Sequence, residues 1–200
     1  MNDQELIDNA PLFDHFSLIR QFHDDPTTWE WILLDIFSFS GGDQPGGWLI
    51  SDHFKLILEQ FIIAQPHRFY PAKLLYKGNK LDYSIFNLLW TAIESTVQID
   101  ALTFNVTDVD TETDKGPLQE RFHSAEEIHN RQHALRMQQR LRMHLSSITI
   151  NQYYDLIPLF GLFADVIISE RLKIAIEQSR IEGVDIKECP YEVIMPPMNL

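Results

Sequence analysis

Two hundred residues, 44% hydrophobic, 12% aromatic and 22% charged, describe one folded domain and exclude a disordered chain. A chain of this length buries roughly 70% of the surface its unfolded form exposes, so it needs no disulfide or structural metal, and the lone Cys189 fits a reducing cytoplasm. The acidic opening Met1 to Asp8 is unlike a secretory leader, and no apolar run reaches the roughly 18–20 residues of a membrane helix, so a soluble protein without a membrane partner is expected.

Sixteen Lys and Arg against 29 Asp and Glu leave a formal charge of −13, which argues against a nucleic-acid partner because phosphate neutralisation needs a cationic surface. The charge is unevenly placed. Residues 1–52 carry ten acids and one base, Arg20, for a net of −9, whereas residues 121–147 carry five arginines and two glutamates, for a net of +3. An acidic region of this kind either confers solubility or steers a cationic protein partner.

In chain order, Thr28 to Phe39 is rich in aromatic and β-branched residues and predicts a strand. The glycine-rich Gly41 to Gly47 is a loop, and Trp48-Leu-Ile50 a short buried strand. Ser51 is placed to cap a helix whose apolar positions Phe54, Ile57, Leu58, Phe61 and Ile62 run toward a stop at Gln65-Pro66. Arg68 to Tyr76 alternates as a strand and turns at Lys77 to Lys80. Asp82 to Trp90 follows, then the β-rich Ser95 to Val106 and a polar loop over 108–117. Ser124-Ala-Glu-Glu127 is a capping box that predicts a helix over 125–145 with a narrow stripe of Ala134, Met137, Leu141 and Leu145. A strand near 166–168, a helix over 170–181 ended by Gly183 and a strand at 184–187 complete the reading.

The chain also repeats itself. Leu49 to Gln60 aligns without gaps on Ile167 to Gln178, with five of twelve positions identical. An apolar strand leads to a capping serine (Ser51, Ser169), an acid at the positive helix end (Asp52, Glu170) and an exposed Lys–Glu pair four apart. The expected fold class is therefore α+β, a single mixed domain over 1–200. It has an acidic N-terminal segment over 1–47 and related strand-helix-strand units over 48–80 and 166–195.

That unit resembles a segment of a family of bacterial immunity proteins encoded beside polymorphic toxins. The resemblance is carried by Ser51 to Glu59 with His67-Arg-Phe-Tyr-Pro71, by Tyr83 to Leu89 leading to Asp100, and by Ser169 to Gly183. Together these span most of residues 48–187; residues 1–40 take no part in the resemblance. The resemblance implies a mixed α and β protein that binds a toxin domain made by the same cell, as a monomer or in a 1:1 complex, and keeps it inactive. It brings no catalytic residue and no cofactor.

Other chemistries lack residues they require. Glu126, His129 and His133 share a helical face, but Asn130 stands where a zinc-protease helix has its glutamate, so neither a metal nor a catalytic centre is expected. Asp108, Asp110, Glu112 and Asp114 alternate as in a calcium loop, with Thr113 and Gln119 at the positions that demand Gly and Glu. The 41–47 glycines lack the Gly-Lys-Ser/Thr of a phosphate cradle, and Cys189 stands between Glu188 and Pro190, which disfavours a thiolate. Asn105-Val-Thr107 is a glycosylation sequon without meaning in a cytoplasmic protein. The expected function is thus an immunity protein occluding its toxin's active site. The alternatives are a metal-assisted hydrolase centred on Glu126, His129 and His133, or a secretion-system adaptor. Interface anchors are expected among His23, Asp24, Asp25, Trp29, Glu30, Trp31, Asp43 and Trp48, with Asp24, Asp25, Glu30, Trp31, Asp43 and Trp48 as the partner-binding set.

Overall fold

A computed structural model describes residues 12–17, 32–38, 47–88, 93–159, 162 and 165–198. The architecture is α+β, with three α-helices and both parallel and antiparallel strand pairs among these residues. The chain falls into two compact units, one from residues 1–90 and 170–186, the other from 91–169 and 187–200.

The first unit is built on a five-stranded sheet of order β1-β4-β5-β3-β2, with β1 Phe13–Ser17, β2 Ile36–Ser38, β3 Gly47–Ser51, β4 His67–Tyr76 and β5 Asn79–Leu88. Its spine is the β4–β5 hairpin, paired from His67↔Leu88 to Tyr76↔Asn79 around the two-residue turn Lys77-Gly78. Both turn residues have positive φ (48° and 81°), the twist that a tight hairpin requires. Edge strand β1 runs parallel to β4 from Ala72 onward, so Pro71, which has no N–H to donate, stands just ahead of that pairing. Strand alternation sends Leu49, Ala72, Leu74 and Tyr83 into one core layer, with Phe13, Phe16, Phe37 and Ile85 packed around them.

Helix α1 (Asp52–Leu58) lies over β3 and β5 and buries Phe54, Ile57 and Leu58. Ser51 caps it as expected, its Oγ accepting the Phe54 N–H at 3.1 Å. The helix stops at Leu58 and not near Gln65, because Gln60 and Phe61 bond back in tighter turns to Ile57 and Leu58. Helix α3 (Glu170–Gln178) buries Leu172 and Ile176 and packs against α1, and the Arg171 guanidinium sits 4.6 Å from the Phe61 ring centre. Its stop is a correction to the expected Gly183: Arg180, at φ 54°, takes the left-handed position. The Arg180 and Ile181 N–H groups close the last turn onto Glu177 and Ile176.

The second unit holds a four-stranded sheet of order β11-β8-β6-β7, with β6 Thr103–Asp108, β7 Asp114–Pro117, β8 Leu141–Thr149 and β11 Glu192–Ile194. A separate antiparallel pair joins β9 (Leu156–Pro158) to β10 (Val166–Ile168). Helix α2 (Ala125–Gln139) opens at the expected capping box. Ser124 Oγ accepts the Glu127 N–H at 3.2 Å, and the Glu127 carboxylate reaches back to the His123 N–H at 2.7 Å.

Several expectations are corrected here. Residues 141–145 form a strand and not the end of a helix. Leu141, Met143 and Leu145 alternate with exposed Arg142 and His144, a period of two that won over the wider helical spacing. Arg140, left-handed at φ 56°, makes the break, and α2 buries Ile128 and Leu135 while Met137 is 67% exposed. The 28–39 strand is reduced to 36–38 among described residues. The 95–106 stretch begins as two short 3₁₀ turns at 93–95 and 99–101, and the 108–117 loop contains β7. Residues 184–187 form no strand, so the second repeat is strand-helix only, and its next strand, β11, pairs with β8.

Candidate protein-binding surface

The most built feature of the first unit begins at Asp35, which precedes edge strand β2. Its carbonyl accepts the Ser51 N–H at 2.8 Å, and its Oδ1 accepts the Ser51 hydroxyl at 2.5 Å. Its N–H donates to the Glu182 carbonyl at 2.9 Å, and its Oδ2 accepts the Glu182 N–H at 3.0 Å. One carboxylate thereby fastens the β2–β3 hairpin to the α1 N-cap and to the segment following α3. Gly183 passes so close to β2 that an added Cβ would lie 2.9 Å from the Ile36 carbonyl oxygen, and its φ of 98° also selects glycine. Burial pushes the Tyr83 phenol up to about 12, assisted by the nearby Asp35 charge, and its hydroxyl donates to the Leu34 carbonyl at 2.7 Å.

Register places Ser38 opposite Trp48, Trp48 opposite Phe86, and Phe86 opposite Phe69, so three aromatic rings from β3, β5 and β4 share one sheet face. Phe69 stacks on Phe86 at 4.9 Å and 17°, and Phe86 on Trp48 at 5.7 Å and 28°. The Lys55 ammonium stands 5.7 Å from the Phe69 ring centre. Beside the half-buried Trp48 opens a shallow hollow of about 340 Å³, lined by Leu34, Ile36, Phe37, Ser38, Trp48 and Gly183.

Of the expected partner-binding set, the structure places Trp48, on the wall of this hollow. Asp24, Asp25, Glu30, Trp31 and Asp43, with His23 and Trp29, lie outside the described residues. Glu126, His129 and His133 are exposed on α2, and among the described residues no group of three His, Cys, Asp or Glu side chains is placed to hold a metal ion. The acidic run after β6 is a self-satisfied turn. Asp108 accepts the N–H groups of Thr111 and Asp110 at 3.0 Å each, and these bonds hold its carboxyl below the usual range. The Arg140 guanidinium bonds Asp110 at 2.5 Å and lowers that carboxyl likewise. Cys189 is an exposed thiol.

Sequence reasoning missed the aspartates that serve the repeat. In the second unit the Asp155 carbonyl accepts the Ser169 N–H at 2.8 Å, and Asp155 Oδ1 accepts the Ser169 hydroxyl at 2.7 Å and the Tyr153 hydroxyl at 3.0 Å. Ile36 faces Ile50 and Phe37 faces Leu49, as Leu156 faces Ile168 and Ile157 faces Ile167. The repeated element is therefore longer than the sequence alignment: Asp, strand, connection, strand, Ser, helix. The signal was an Asp followed by two apolar residues, 16 and 14 positions ahead of the two serines, hidden by the unequal connections.

Comparison with known proteins finds no matching family model, no similar curated protein and no similar solved structure. Among the described residues no helix is long and apolar enough to cross a membrane.

Proposed function

We propose that this chain is an immunity protein: in the cytoplasm it binds the antibacterial toxin domain encoded beside it, one to one, and keeps it inactive by covering its active site. The observation that carries the reading is the hollow beside half-buried Trp48 at the β2 edge of the five-stranded sheet, most of whose lining comes from residues 1–52, a stretch with a net charge of −9. Interfaces anchor on aromatic side chains that are partly desolvated before binding, with a polar rim that supplies steering. The segments bearing the family resemblance, Ser51 to Glu59 and Ser169 to Gly183, are also those that build the strand-Ser-helix elements around Asp35 and Asp155.

Carboxylates of the acidic region stand opposite basic side chains that the toxin uses on a phosphate-bearing substrate. Attraction of this kind weakens as salt rises. Titrating the purified chain into the neighbouring toxin domain at low and high salt tests this: a 1:1 complex that abolishes toxicity and loses affinity with salt is expected. No complex at either salt contradicts the reading, and equal affinity at both removes its electrostatic part. His129→Ala with His133→Ala is expected to leave protection intact; loss of protection would favour a hydrolase.

A further inference from the structure

The aromatic stack of the first unit has two ends. At one, the Lys55 ammonium lies against Phe69; at the other, Trp48 lines the hollow between β2 and Gly183. We propose that this hollow is the seat of an arginine side chain presented by the protein partner, its guanidinium lying on the Trp48 indole. The inference rests on the binding function proposed above and names the chemistry that its surface recognises.

Three observations favour that occupant. The hollow, at about 340 Å³, admits a long side chain, and the apolar Leu34 and Ile36 in its lining suit the aliphatic stem. Its far wall is an indole, the best aromatic acceptor of a cation, already backed by the stacked Phe86 and Phe69 rings. The surrounding sequence is acidic. Residues 32–38 and 47–54 contain Asp35 and Asp52 and no Lys or Arg, and Glu182 and Asp185 flank Gly183, with Arg180 the one base over 179–186. An arginine suits such a site better than a lysine, because the planar, weakly hydrated guanidinium stacks on an aromatic face at a lower desolvation cost. The same chemistry holds within the unit, where Arg171 lies on Phe61.

The test needs no toxin. The four Trp indole N–H signals of the full-length protein are recorded by ¹⁵N NMR, and that of Trp48 is assigned by its loss in Trp48→Phe. Should that variant not fold, W29F, W31F and W90F assign it by elimination. Tetra-arginine amide is expected to move the Trp48 signal saturably, with tetra-lysine producing a smaller shift and tetra-glutamate none. Ser38→Arg, at an exposed position lining the hollow, places a guanidinium there within the chain and is expected to reduce the tetra-arginine shift about fivefold. A Trp48 signal that stays still, or that moves equally with tetra-glutamate or in Ser38→Arg, overturns the inference. Either result leaves the immunity reading standing if the toxin is still bound, and a shift with tetra-arginine does not rescue that reading if no toxin binds.

Discussion

The two copies of the Asp-strand-strand-Ser element do the same local work in opposite surroundings. Asp155 is fully buried, β9 is buried along its length, and its carboxylate is spent on the Ser169 and Tyr153 hydroxyls. Asp35 is half-buried and its Oδ2 accepts the Glu182 N–H, β2 is half-exposed and ends a sheet, and a hollow lies beside Trp48. A shared pair of Asp–Ser hydrogen bonds thus serves as core scaffold in one unit and as the support of an accessible surface in the other. Recognition surfaces need well-packed backing, and in the proposed reading the recurring Asp–Ser part supplies it beside the hollow.

The sharpest way to break this comparison is to remove each aspartate. Asp155→Ala empties a fully buried position and takes the acceptor from two half-buried hydroxyls, and is expected to cost about 3 kcal/mol in urea unfolding, whereas Asp35→Ala, at a half-buried position that water can fill, is expected to cost about 1.5 kcal/mol. Equal losses would mean that the copies do not differ as described. Gly183→Ala forces a Cβ against the Ile36 carbonyl in a left-handed backbone, and an expected cost of about 2 kcal/mol would show as a lowered Tm.

Tyr83→Phe loses one hydrogen bond, about 1 kcal/mol at neutral pH. Its alkaline behaviour sharpens the point. A phenol raised in the fold from 10.0 to about 12 contributes stability that is intact below about pH 10 and disappears as the pH climbs toward 12. Wild type should therefore lose stability relative to Tyr83→Phe across that window, and parallel pH profiles for the two proteins would contradict the assignment.

The parts legible in the sequence were those with strong local chemistry. Ser51 and the Ser124–Glu127 box announce their helices, and Lys77-Gly78 its hairpin, because capping and tight turns depend on residues a few positions apart. Boundaries failed where two periodicities overlap, as at Leu141 to Leu145, where spacing compatible with a helix face also alternates as a strand. Gly183 suggests a helix stop because glycine is the usual left-handed residue. Arg180 took that role, and the glycine is required by the close pass at Ile36. The Asp35–Ser51 and Asp155–Ser169 partnerships were not legible at all, since nothing local couples residues separated by a connection of variable length. Of the expected anchors, Trp48 lines the hollow, its neighbours on β5 and β2 set by register.

The most direct test of the account is an inhibition titration of the neighbouring toxin domain with wild-type protein and with Ser38→Arg. The account predicts complete loss of toxin activity at one equivalent of wild type and a right-shifted curve for the variant, with no turnover of any small molecule by the isolated chain. Undiminished toxin activity at excess wild-type protein, or protection that depends on catalysis by this chain and not on a stable complex, would contradict it.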